Sequence, residues 1–165
     1  MKKNVMLVLV ICMLATVAFA EGETATETAT ETKSSTIGAR AGYSFSPDQF
    51  FIGAHMDLGQ VVGPTRLVPN IEFGFGNDMT LICFNGDFIY DFEGTPWGVG
   101  GELGLIYSSY DVPGLDDSFS DTNLGMSLLG DYRLVLGNGK TLLLEAKVGL
   151  IDSPDFKLTV GYDLF

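Results

Sequence analysis

Apolar and polar side chains alternate along this chain with a period of two, and no charge falls on the apolar parity. Ile37, Ala39, Ala41, Tyr43 and Phe45 lie on one side of a strand, and Thr36, Gly38, Arg40, Gly42 and Ser44 on the other. Such a period sends successive side chains to opposite faces of a sheet. The split recurs over residues 50–58, 67–75, 80–92, 97–107, 124–136, 142–150 and 156–164. In all eight segments the charges keep to one face. Eight short strands with one charge-free face predict an all-β, eight-stranded antiparallel up-and-down transmembrane β-barrel, apolar outside and polar inside.

The barrel is expected over residues 36–165. Turn residues stand where the alternation breaks: Ser46-Pro47-Asp48, 59–65 with Gly63-Pro64, Gly76-Asn77-Asp78, Glu93-Gly94-Thr95-Pro96, Gly137-Asn138-Gly139 and Asp152-Ser153-Pro154. One connection is long, 108–121. An even number of strands puts both termini on one side, which in outer-membrane barrels is the periplasm, and the longer loops outside. The long connection follows an odd-numbered strand and is expected to be extracellular.

The first twenty residues read as a cleaved secretory signal peptide. Lys2 and Lys3 precede an apolar stretch that ends in Ala18-Phe19-Ala20. Residues 21–35 repeat Thr, Ala and Glu without a large apolar residue, and are expected to be a disordered periplasmic leader. The full chain has 9 basic and 21 acidic residues, and loss of Lys2 and Lys3 leaves 7 against 21, a net −14. That balance excludes electrostatic binding of nucleic acid. Cys83 is the one cysteine beyond residue 20, so neither an intrachain disulfide nor a cysteine-pair zinc site can form there. With one histidine, no metal or cofactor is expected.

Which face points outward follows from the character of the polar face. It is rich in glycine and poor in lysine, unlike the mixed charge of a soluble surface. Glycine suits the cramped interior of eight strands. Aromatics gather toward the ends of the apolar face (Tyr43, Phe45, Phe50, Tyr90, Phe92, Trp97, Tyr107, Phe156 and Tyr162), like girdles at headgroup level. The competing soluble barrel, a periplasmic binder of an apolar ligand, would reverse the two faces.

The inner face carries Arg40, Arg66, Arg133, Lys147 and Lys157 against Asp57, Glu72, Asp87, Asp91, Glu102, Asp131, Glu145 and Asp163, with His55 and Asn70 beside them. Buried charge must be paired, so a network closing the lumen is expected, with Arg133 at its centre. A narrow channel for small solutes is the alternative. His55 and Asp57, two apart on one inner face, could instead orient a base in a lipid-modifying enzyme, with Ser44 or Ser127 as nucleophile. No motif links them, and membership of the ion network is preferred. Asp111, Asp116, Asp117 and Asp121 crowd the long connection without a calcium-loop pattern, and are expected to be a solvated acidic loop. Cys83 is expected to be buried and inert. Pro69 removes a ladder donor on the lipid face, which predicts a bulge or break. Met79, Leu81, Cys83 and Ile89 make the inner face of 80–92 the least polar of the eight.

The glycine–aromatic strands GARAGYSF and GGELGLIY and the terminal KLTVGYDLF resemble those of small outer-membrane barrels, the OmpA-transmembrane-domain and OmpX type. The resemblance spans residues 36–165. It implies a barrel embedded in outer-membrane lipid and lipopolysaccharide and says little about activity; a monomer with a structural or surface-interaction role and no catalysis is expected. It also implies an aromatic C-terminal signal for the outer-membrane insertion machinery: Tyr162, Leu164 and Phe165. Val160, Tyr162 and Leu164 keep step on the apolar face, and Phe165 is one residue out.

Overall fold

The structure, a computed structural model, describes residues 35–76, 79–111 and 118–165. The expected signal peptide, nearly all of the expected leader, and Asp116 and Asp117 lie outside the described residues. The described residues form nine strands: β1 (Thr36–Phe45), β2 (Asp48–Asp57), β3 (Gln60–Val62), β4 (Thr65–Gly76), β5 (Met79–Asp91), β6 (Trp97–Asp111), β7 (Ser118–Val135), β8 (Thr141–Ile151) and β9 (Phe156–Asp163). All pairs are antiparallel. β2 skips the short β3 to pair with β4, and β1 pairs with both β2 and β9. Eight strands therefore close into a ring, and β3 is a small hairpin arm on β4 at one end. The seam runs from Gly38↔Asp163 to Ser44↔Lys157, and beyond it Ile37 exchanges backbone hydrogen bonds with Phe165. Phe165, out of step in the side-chain pattern, thus closes the barrel through its backbone, while its side chain is exposed.

The large apolar residues stand outside. Ile52, Phe84, Val99, Leu128, Leu144 and Val160 are exposed, whereas Arg40, Glu72, Asp87, Glu102, Asp131, Glu145 and Lys147 are buried. This orientation excludes the soluble barrel, whose apolar side chains would fill the interior. Aromatics pair at both ends of the outer surface. Tyr43 meets Phe45 and Phe50 edge-on at one end, and Trp97 meets Tyr132 at the other. Trp97 and Tyr107 lie ten residues apart on β6, about 33 Å along a strand and about 25 Å of height at a tilt of about 40°. That height matches the apolar band of outer-membrane barrels.

Two local expectations are corrected, and a third, at Pro69, is met as a break in the ladder and not as a bulge. The connection expected over 108–121 is mostly strand: β6 runs to Asp111 and β7 starts at Ser118, with Ser108 opposite Asp121. Apart from Tyr110 and Phe119, which lie opposite each other, its described residues are serine and aspartate on both faces, so no period-two contrast marked them as a strand. Pro69 causes no bulge on its own strand, because it pairs in register with Gly86. The β2 ladder stops one step before Pro69, at His55↔Asn70, and resumes where Leu58 and Gly59 both bond Leu67. The missing N–H falls in that gap, and the irregularity sits on the partner. Residues 59–65, expected as a plain turn, include β3.

The apolar inner face of β5 also finds its reason. Ile89 packs with Val68 and Leu129 in an interior apolar cluster. These residues alternate with charged or polar inner positions: Val68 between Arg66 and Asn70, Ile89 between Asp87 and Asp91, Leu129 between Ser127 and Asp131. The result is an apolar layer across part of the lumen, with ionic groups on both sides of it.

Leu128 sits mid-strand on the outer face, 56% exposed. Leu128→Arg should lower unfolding stability in lipid vesicles by about 2–4 kcal/mol, the cost of a cation near the bilayer midplane. Urea titration of the reconstituted barrel measures it, and unchanged stability would mean that this face is not in hydrocarbon.

Candidate functional site: the lumen ion network

The interior charges form two clusters. In the central one Arg40 lies 3.1 Å from Glu72 and 3.5 Å from Asp87, and also bonds Glu145. Lys147 reaches Asp87 at 2.9 Å, Glu102 at 2.6 Å and Glu145 at 3.1 Å. Lys157 reaches Glu72 at 2.7 Å and Glu102 at 3.7 Å. Neutral groups complete the shell: Asn70 donates to Asp87, Asn85 to Asn70, and Ser127 to Glu102. Toward the end without termini, Lys157 lies 5.2 Å from the centre of the Phe51 ring, and Leu81 and Cys83 are buried nearby along β5. The central cluster thus lies between apolar side chains on both sides.

The second cluster is at the end where the termini lie. Arg66 is its hub. One guanidinium bonds Asp57 at 2.8 Å, Asp91 at 2.9 Å and Asp131 at 2.6 Å. Arg66 is 2% exposed, so the three carboxylates replace its water almost completely. Arg133 was expected at the centre of the network and is not there. It stands at the mouth, its side chain 18% exposed, and makes one ion pair among the described residues, with Asp91 at 3.0 Å. Parity put Arg133 on the inner face. Its height follows from its place near the end of β7, opposite Leu143 on β8.

His55 and Asp57 both join the ion network, as preferred, and the alternative catalytic pair between them does not form. His55 Nε2 lies 3.1 Å from Asp163, and Asp57 turns to Arg66 and to the Gly59 N–H. The reason is on β1. Gly38 pairs with His55 on one side and with Asp163 on the other. A side chain at 38 would run into the imidazole, so the absence of one lets the ring cross that strand. Gly98 does the same between Asp91 and Asp131. A Cβ there would strike the Asp131 carboxylate, and without it both acids converge on Arg66. A glycine between two inner polar residues was the signal for these pairs.

The proposed nucleophiles are elsewhere. Ser44 donates to the Pro47 carbonyl near the end opposite His55, and Ser127 donates to Glu102 in the central cluster. No group of three or more His, Cys, Asp or Glu among the described residues is arranged to hold a metal. Asp121 accepts from the Thr122 N–H and the Asn123 amide on exposed strand. Cys83 is buried and unpaired.

A cavity of about 270 Å³ opens at the mouth on the termini side. His55, Arg66, Arg133, Lys140 and Asp163 line it, with Val68 and Leu143 among its apolar walls. Its polar groups are not all used. His55 Nδ1 and Arg133 Nε are buried without a hydrogen-bond partner.

A closed ring of eight antiparallel strands, with a lipid-compatible exterior and a buried ionic interior, is a membrane-spanning β-barrel of the outer-membrane type. A solved structure shows the same fold. The chain is similar to the N-terminal β-barrel domain of Pseudomonas aeruginosa OprF, with a TM-score of 0.50 and 12% identity, over 79% of this chain and 96% of that one. It also aligns with the outer membrane enzyme PagL, with a TM-score of 0.43 and 14% identity, over 80% of this chain and 99% of that one. No protein-family model and no curated protein sequence matches the chain.

Arg66 and Arg133 should separate hub from rim. Arg66→Met strands Asp57 and Asp131, leaves Asp91 to Arg133 alone, and should cost about 3–5 kcal/mol in urea unfolding, as loss of one partner does in a buried pair. Arg133→Met should cost under about 1 kcal/mol, because water already screens its single pair. Asp131→Asn added to Arg66→Met should recover part of the loss. Equal effects at the two arginines would contradict the hub assignment.

Proposed function

We propose that this chain is an outer-membrane protein with a structural or surface-interaction role, not a channel and not an enzyme. Its N-terminus is periplasmic and its lumen is plugged. The observation that carries the reading is the central cluster. Three bases and four acids interlock across the barrel axis between layers of apolar side chains. Eight strands leave an interior just wide enough for side chains to fill. A path for solutes would have to break several buried ion pairs at once, and each freed charge costs several kcal/mol. Against catalysis, His55, Ser44 and Ser127 have separate partners at different heights. The partners are lipid and lipopolysaccharide around the apolar belt, and the insertion machinery during assembly through Tyr162, Leu164 and Phe165. The barrel acts as a monomer.

Conductance tests the plug. Wild-type protein in a planar bilayer should show no steady channel, and a stable, ion-selective conductance would replace this reading with the narrow pore. Topology is tested separately. Ser120, exposed on β7 at the end opposite the termini, should as Ser120→Cys in a Cys83→Ser background label with an impermeant thiol reagent on intact cells. Labelling only after the outer membrane is breached would invert the orientation.

A further inference from the structure

We infer that the cavity at the termini-side mouth is a binding site for a small carboxylate with an apolar body. The inference starts from unused hydrogen-bonding capacity. Arg66 already spends each of its three nitrogens on a carboxylate. Asp57, Asp91 and Asp163 in turn are each held by a base. Most of the remaining capacity in the cavity wall belongs to two donors. Arg133 spends Nη2 on Asp91 and leaves Nε buried without a partner. Among the described residues the Lys140 ammonium bonds only the Leu164 carbonyl, so two of its three N–H groups are unused. His55, 4% exposed, donates through Nε2 to Asp163, which leaves its unpartnered Nδ1 as an acceptor and adds no donor to the pair.

A buried donor without a partner costs free energy that a bound acceptor returns. A guanidinium and an ammonium at one mouth favour an anionic acceptor, and the planar guanidinium matches a carboxylate. The rest of the cavity suits a small apolar body, because Val68 and Leu143 form part of its wall. The volume of about 270 Å³ is at the small end of ligand pockets. It limits the ligand to roughly the size of one aromatic ring with its acid group. Of the acids nearby, Asp57 and Asp91 face arginines at hydrogen-bond distance, which offsets their repulsion of such a ligand.

The test uses the full barrel in detergent micelles with benzoate as probe, and with benzylamine and benzyl alcohol as cationic and neutral isosteres. Benzoate should saturate and shift the amide resonances of His55, Lys140 and Thr141, while the two isosteres leave them unmoved. Arg133→Gln should weaken benzoate by roughly tenfold to a hundredfold, the value of one charge-assisted hydrogen bond. Lys140→Gln should weaken it by less. Because Arg133 sits at the rim, both variants should remain folded, and the unchanged amide spectrum of the central cluster checks this. Equal binding of benzylamine would overturn the inference. So would unsaturable benzoate shifts, or an unchanged benzoate affinity in folded Arg133→Gln protein. None of these results depends on whether the barrel conducts.

Discussion

A backbone N–H inside hydrocarbon has no water to bond, and the rest of this structure follows from that constraint. Every spanning strand must have a partner on both sides, so the sheet has to close. Closure here is made by β1 against β9 and is extended by Ile37 and Phe165. Once eight strands are closed, the lumen is narrow, and its side chains must fill it themselves. Charges on the inner face then have no bulk water either. They must be solvated by one another, which is what Arg40, Arg66, Lys147 and Lys157 do with seven of the interior carboxylates.

The ionic interior does more than replace water. Parity alone fixes which face of each strand meets lipid, because a slip of one residue would place Arg40 or Glu145 in hydrocarbon. A slip of two residues keeps the parity and would satisfy the lipid equally well. It is the lumen that forbids it. Moving β4 two residues past its neighbours would put Glu72 where Asn70 or Gly74 now stands, away from both Arg40 and Lys157. Buried ion pairs add little net stability over an apolar filling of the same shape. Their geometry nevertheless ties each strand to one height, and the apolar layer of Val68, Ile89 and Leu129 separates the two sets of charges.

The same distinction explains what could be read from the residues alone. Inside against outside is a matter of parity, and the alternation from Ile37 to Leu164 carried it. Height is set by tilt and stagger between strands, which no single strand encodes. Arg133 was therefore expected at the centre and stands at the rim, while Arg66, with the same parity, is the hub. His55 and Asp57 are neighbours on one strand, two residues apart. That spacing along a strand is about 7 Å, too long for a hydrogen bond, and it favours a cross-strand partner. Asp163 became that partner because Gly38 leaves the way clear. The polar ends of β6 and β7 lie beyond the lipid belt, where nothing enforces alternation, and so their sequence did not look like strand.

An ion network that is complete cannot easily do anything else. In the central cluster the bases Arg40, Lys147 and Lys157 each hold at least two carboxylates, and any rearrangement would leave a charge uncompensated between apolar layers. Such a region resists both a passing ion and a bound ligand. Fold by itself does not decide activity, so a role for this protein has to come from groups whose bonding is incomplete. Those lie at the ends. At one end the strands of the β6–β7 hairpin rise past the belt with small polar side chains. At the other, Arg133 and Lys140 retain donors that the barrel itself does not use. The division follows from depth: charges deep in the lumen had to be paired with opposite charges for the barrel to form, whereas groups at the mouth could be left for water or for a ligand.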